Sequence, residues 1–154
     1  MARSQIILDL ITNSVPLSDT LMRLSVLFDS LGNEKLKSWI NSEICGYENK
    51  DELPKYRLIR GTLKADIIQG FGIWQNQDIP FQPENERLEE ITIKRCYESF
   101  STLEQVANGT EKTFYCPLPP AAYHYVNKDI NGDLQSLKLV ISRHSFNDVC
   151  KMSA

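Results

Sequence analysis

The chain has 154 residues, with 17 Lys and Arg against 20 Asp and Glu and a formal net charge of −3. That length fits one domain, large enough to bury a core without disulfide or metal staples. The slight acidity leaves no overall basic footprint for nucleic acid or anionic membrane. No apolar run reaches the roughly 18–20 residues that a membrane span needs.

The first helix is expected over residues 4–13, where Ile6, Ile7, Leu10 and Ile11 fall on one face. This apolar block is short, is broken by Asp9 and lacks a small-residue cleavage site, so it reads as a helix and not an export signal. Without such a signal the expected compartment is the cytoplasm, where thiols stay reduced. Pro16 closes the segment by restricting the residue before it. Ser18 is the expected N-cap of a second helix with a stripe of Leu21, Leu24, Leu27, Phe28 and Leu31, ended by Gly32. Asn33 caps a third helix, in which Leu36, Trp39, Ile40, Glu43, Ile44 and Tyr47 recur at three- and four-residue steps up to Gly46.

The pattern changes at Pro54. Residues 56–67 predict one strand bulged at Gly61, and Gly70-Phe71-Gly72 turns it into a second strand at Ile73–Gln75, making a hairpin. Leu88–Ile93 reads as a strand, because Ile91, Thr92 and Ile93 are β-branched. A helix follows from Tyr97 to Ala107, stopped by Asn108-Gly109. Cys116–Pro120 is extended, and Pro120 can open a helix at Ala121–Val126. Leu134–Ile141 is the last strand, with Leu137, Leu139 and Ile141 on one side, and a further helix starts at Ser142. The expected fold is α+β: an N-terminal three-helix segment packed on a small, mainly antiparallel sheet with one or two further helices. Residues 1–154 read as a single domain, helical over 4–47 and mixed over 54–154. The last helix stops after few turns, which suggests the N-terminal part of a longer protein.

Chemistry-bearing motifs are sparse. Cys45, Cys96, Cys116 and Cys150 lie at wide, unequal intervals, unlike zinc-ligand pairs, and read as buried inert thiols. No catalytic residue, metal ligand or cofactor is implied. Trp39 and Tyr47 read as core anchors, Gly46 as a positive-φ helix end and Pro54 as a strand start. Glu43 lies on the apolar face of its helix and calls for a cation, with Arg57 or Arg60 as the expected partner. Lys55, Arg57, Arg60 and Lys64 form a local basic strand, a candidate contact for a partner or for nucleic acid. Tyr123-His124-Tyr125 reads as a packed aromatic helix more than a base-stacking site, because only Lys128 is near.

Three stretches carry a family resemblance. They are Leu17–Leu24, Leu31–Tyr47 and Leu53–Gly61, and the last two read LGNEKLKSWINSEICGY and LPKYRLIRG. They resemble the pattern LGNxxLxxWxxxELxGY, a variable gap, then LPxYRxxxG of the N-terminal AbiTii domain of abortive-infection, anti-phage proteins. The signature falls on Trp39, Glu43, Gly46, Tyr47, Pro54, Tyr56, Arg57 and Gly61, and departs from the pattern at Ile44-Cys45. The resemblance implies a bacterial cytoplasmic defence protein, often with a different C-terminal effector region attached, and no known reaction. The expected role is a non-catalytic interaction, sensor or oligomerisation domain whose partner is a phage or host protein or a second copy. The alternatives are a nucleic-acid-binding module using residues 55–64, and a nuclease or hydrolase whose site is assembled in space. No membrane partner is expected.

Overall fold

Capping groups set the helix boundaries and one glycine sets the sheet boundaries. The computed structural model describes residues 5, 8, 12, 15–49, 51–80, 84–127 and 130–152. In chain order these carry α1 (Leu17–Leu31), α2 (Glu34–Cys45), a 3-10 turn (Lys55–Arg57), β1 (Leu58–Arg60), β2 (Thr62–Gln69) and β3 (Gly72–Ile79). There follow α3 (Glu86–Ile91), β4 (Ile93–Arg95), α4 (Phe100–Ala107), β5 (Thr113–Pro117), a 3-10 turn (Pro120–Ala122), α5 (His124–Asn127), β6 (Asp133–Ser142) and α6 (Arg143–Met152). The fold is α+β, with one two-stranded and one four-stranded antiparallel sheet. Most of the helix expected over 4–13 lies outside the described residues, of which Gln5, Leu8 and Thr12 are helical.

The chain divides into two compact units. A helical unit comprises Met1–Pro54, Tyr97–Gly109 and Phe146–Ala154, and a sheet unit comprises Lys55–Cys96 and Thr110–Ser145. The all-helical part is therefore not one run of sequence: α4 and the end of α6 join α1 and α2.

In the helical unit, α1 begins at Leu17 directly after Pro16, one residue ahead of the expected cap. Ser18 is already inside the first turn. The capping carboxylate comes from α4: Glu104 accepts the Leu17 N–H and the Ser18 hydroxyl, each at 3.1 Å. Proline supplies no side-chain cap, and an anion is favoured at the positive end of the helix dipole. Gly32 closes α1 at φ 68°, and Asn33 caps α2 by accepting the Leu36 N–H. Leu21 is buried as expected, Leu24, Leu27 and Phe28 are half-buried, and Leu31 is exposed. Gly46 ends α2 at φ 89°, where an added Cβ would stand 2.9 Å from the Tyr97 carbonyl. α4 starts at Phe100 rather than Tyr97, because Ser99 caps it by accepting the Thr102 N–H.

In the sheet unit, the expected single strand over 56–67 is two strands in two sheets. β1 pairs with β4, and β2 lies between β3 and β6 in the order β3-β2-β6-β5. The break is at Gly61, whose N–H donates to the Thr92 carbonyl and whose added Cβ would fall 2.7 Å from the Val140 carbonyl oxygen. Only glycine lets the two backbones approach that closely. The bulge lies further along, where the β2 register shifts around Ala65–Ile67. The hairpin is present, with β3 longer than expected, and β6 buries Leu137, Leu139 and Ile141 on one face as its alternation requires. The strand expected over 88–93 is instead α3 followed by β4. Asn85 accepts the Leu88 N–H to start the helix, and the β-branched residues fall at its end. The segment after Pro119 is a 3-10 turn and the short α5 instead of one helix over 121–126.

Replacing Gly61 with valine is expected to destabilise the protein by about 1–3 kcal/mol, the usual range for forcing atoms into packed space. A fall in the urea midpoint with unchanged slope checks this.

Candidate functional site

The signature residues sit in both units. In the helical unit, Glu43 is fully buried and its Oε1 accepts the Tyr47 hydroxyl at 2.8 Å. The Tyr47 N–H donates to the Tyr97 carbonyl at 2.7 Å. Trp39, Tyr47 and Pro54 are half-buried. In the sheet unit, Arg57 is fully buried, and its Nη1 donates to the Cys96 carbonyl at 3.1 Å while the Cys96 N–H returns a bond to the Arg57 carbonyl. Tyr56 and Gly61 are half-buried. Burying a charged group costs several kcal/mol unless it is bonded.

The cations expected to form one basic strand do not share one. Lys55 and Arg57 lie in the 3-10 turn, Arg60 ends β1 and Lys64 lies in β2. Arg57 is buried, Arg60 Nη2 stands 2.6 Å from Glu89 Oε1, and Lys64 Nζ stands 3.4 Å from Asp78 Oδ1. The switch of sheets at Gly61 breaks the continuous face that the sequence implied. Three of the thiols likewise depart from expectation: Cys45 is exposed and Cys116 and Cys150 are half-buried, whereas Cys96 is buried, and none of the four forms a disulfide. His124 packs against Tyr125 with ring centroids 4.5 Å apart, and Arg87 lies 5.6 Å over the Tyr125 ring, a cation from α3 that the local sequence does not show. Among the described residues no cluster of His, Cys, Asp or Glu could hold a metal ion.

The feature that faces outward is the β2–β3 hairpin. Phe71 at its turn is fully exposed, and Ile73 and Trp74 keep 59% and 56% of their surface in solvent. β3 is an edge strand, exposed along nearly its whole length. A bulge supports the hairpin from beneath. Asn76 takes φ 53°, its N–H donates to Asp66 Oδ1 at 2.8 Å, and Asp66 Oδ2 accepts the Ser136 hydroxyl at 3.0 Å. Lys138 Nζ donates to Asn76 Oδ1 and lies 5.1 Å over the Tyr115 ring. The Asn76 N–H, then the Ser136 hydroxyl, then the nearby Lys138 charge hold the Asp66 carboxyl below its usual range. The sequence reading located this turn but not its apolar tip. The available signal was Phe71 between two glycines at a hairpin turn, a position with no neighbouring strand to cover it.

Comparison with known families decides the lineage: the AbiTii family model matches residues 3–151, nearly the whole chain. The chain belongs to the AbiTii family. The match extends well past Gly61, where the resemblance in the signature stretches ends. AbiTii proteins are abortive-infection defence proteins of bacteria. No curated protein and no solved structure matches this AbiTii chain closely enough to count as similar. Among its described residues no helix is long and apolar enough to cross a membrane.

Tyr47→Phe leaves a buried carboxylate with one donor fewer and is expected to cost about 1–3 kcal/mol, measured by chemical denaturation. The lowered Asp66 pKa means that its bonds stabilise the fold above the usual carboxylate range and are lost as pH falls through the depressed value. The Asn76 amide is therefore expected to exchange faster at the acid end of a titration from pH ~6 to ~2. In Asp66→Asn that acid step should disappear from the hydrogen-exchange profile.

Proposed function

We propose that this chain is a non-catalytic recognition module of an abortive-infection defence protein, and that it binds a protein of phage or host origin in the bacterial cytoplasm through the β2–β3 hairpin. The observation that carries this reading is the exposure of Phe71, Ile73 and Trp74 beside an open sheet edge. Exposed aromatic anchors supply most of the binding energy of many interfaces. An unpaired edge offers a row of backbone donors and acceptors that a partner strand can continue. The other sheet edge is less suited: β5 is shorter, ends in Pro117, and is followed by Pro119-Pro120. From Gly72 to Gln77 the β3 edge carries no charged side chain to repel a strand. The attached effector region implied for such proteins would then be controlled by this contact.

The test is phage challenge of cells carrying the full-length protein with Phe71→Ser and Trp74→Ser combined. Protection is expected to fall by about tenfold or more, as loss of an interface anchor implies, while circular dichroism and Tm of the purified variant stay as in the parent. Undiminished protection would overturn the hairpin as the contact. If the parent chain sediments as a dimer that the variant abolishes, and no phage or host protein is needed, the partner is a second copy and not the one proposed.

A further inference from the structure

The sheet unit holds a cleft of about 540 Å3 beside Gly61, within the roughly 300–1,000 Å3 typical of small-ligand sites. The geometry points to this cleft as a binding site for a small phosphate ester with an apolar or aromatic body, such as a mononucleotide. The inference stands apart from the hairpin reading, since none of Phe71, Ile73 and Trp74 lines the cleft.

Leu63, Ile79, Leu88 and Val140 give the lining an apolar part. Strand register places a set of hydroxyls on one face of three adjacent strands, the face that also carries Val140. Thr62 of β2 pairs with Val140 of β6, and Thr113 of β5 pairs with Ser142 of β6. Thr92 and Ser145 also line the cleft, and the Ser142 and Ser145 hydroxyls lie 3.4 Å apart. Hydroxyls can both donate and accept, so they suit phosphate oxygens and sugar hydroxyls alike.

Among the described residues of the lining, Arg60 is the charged one and no carboxylate is present. Glu89 holds the Arg60 guanidinium at 2.6 Å, and both side chains are substantially exposed. Exposed ion pairs are weak, so a phosphate, which accepts the planar guanidinium through two parallel bonds, can compete with Glu89 for it. Glu89 is then a positioning residue that keeps Arg60 at the mouth and lowers its affinity for anions. The volume exceeds what an inorganic anion fills, so the proposed ligand carries on its phosphate a body that can meet Leu63, Ile79, Leu88 and Val140.

The experiment is calorimetric titration of the whole chain with adenosine 5′-monophosphate, adenosine and inorganic phosphate, with amide chemical shifts recorded in parallel. The monophosphate is expected to bind more tightly than either fragment and to shift the amides of Thr62, Thr113, Val140 and Ser142. Arg60→Gln should weaken monophosphate binding by about tenfold or more, the loss expected for a charge-assisted contact, and leave adenosine binding unchanged. Glu89→Gln should tighten it by removing the competing carboxylate. These opposite signs separate a ligand contact from a fold defect, because a merely structural ion pair would lose equally from either side. Absence of binding by the monophosphate at millimolar concentration, shifts confined to other residues, or weakening by both variants would overturn the proposal.

Discussion

The close approach of Gly61 to the Val140 backbone is the constraint on which the sheet unit depends. An ordinary strand continues with its neighbour until a turn ends it. Here the chain leaves a two-stranded ladder at Arg60 and enters a four-stranded one at Thr62. That change is possible within one residue because nothing projects from Gly61 toward the Val140 carbonyl oxygen. It puts Arg60 and Thr62 in different sheets, and both line the same cleft. It also aligns β2 between β3 and β6, which leaves β3 at the edge with its apolar hairpin turn. The outward surfaces of this unit follow from that single backbone event.

Each buried charge has a local bonding partner. Tyr47 answers Glu43 from one turn further along the same stretch, and the Cys96 carbonyl answers Arg57 from a segment 39 residues away. The family signature collects residues of this kind: a carboxylate and a guanidinium that cannot be left unbonded, and glycines at positions that tolerate no Cβ. Such residues are demanded by packing and desolvation. The exposed hairpin residues lie outside the signature, and of the signature residues Gly61 lines the cleft.

The hairpin and the cleft are the two surface features on which the proposals rest. The hairpin tip is apolar, and the cleft carries several hydroxyls and one arginine among the described residues. The two lie in one unit and use different chemistry, so each can be altered without removing the other.

The helices capped by Asn33 and stopped by Gly32 and Gly46 were legible in the sequence, because a capping side chain and a left-handed glycine act over three or four residues. So were the hairpin at Gly70-Phe71-Gly72 and the alternation of Leu137, Leu139 and Ile141, which are equally local. The start of α1 was misplaced because its capping carboxylate, Glu104, is 86 residues from Ser18. The helix at Glu86–Ile91 was mistaken for a strand because β-branching at its end outweighed the cap at Asn85. The basic strand dissolved because the sheet exchange at Gly61 depends on Val140, far along the chain. By itself, then, the sequence determined the family, the α+β class and those elements whose ends are set by near neighbours. Tertiary structure alone decided which sheet each strand joins, which cations are engaged and where the cleft opens, because those outcomes rest on backbone contacts between residues that no short-range pattern links.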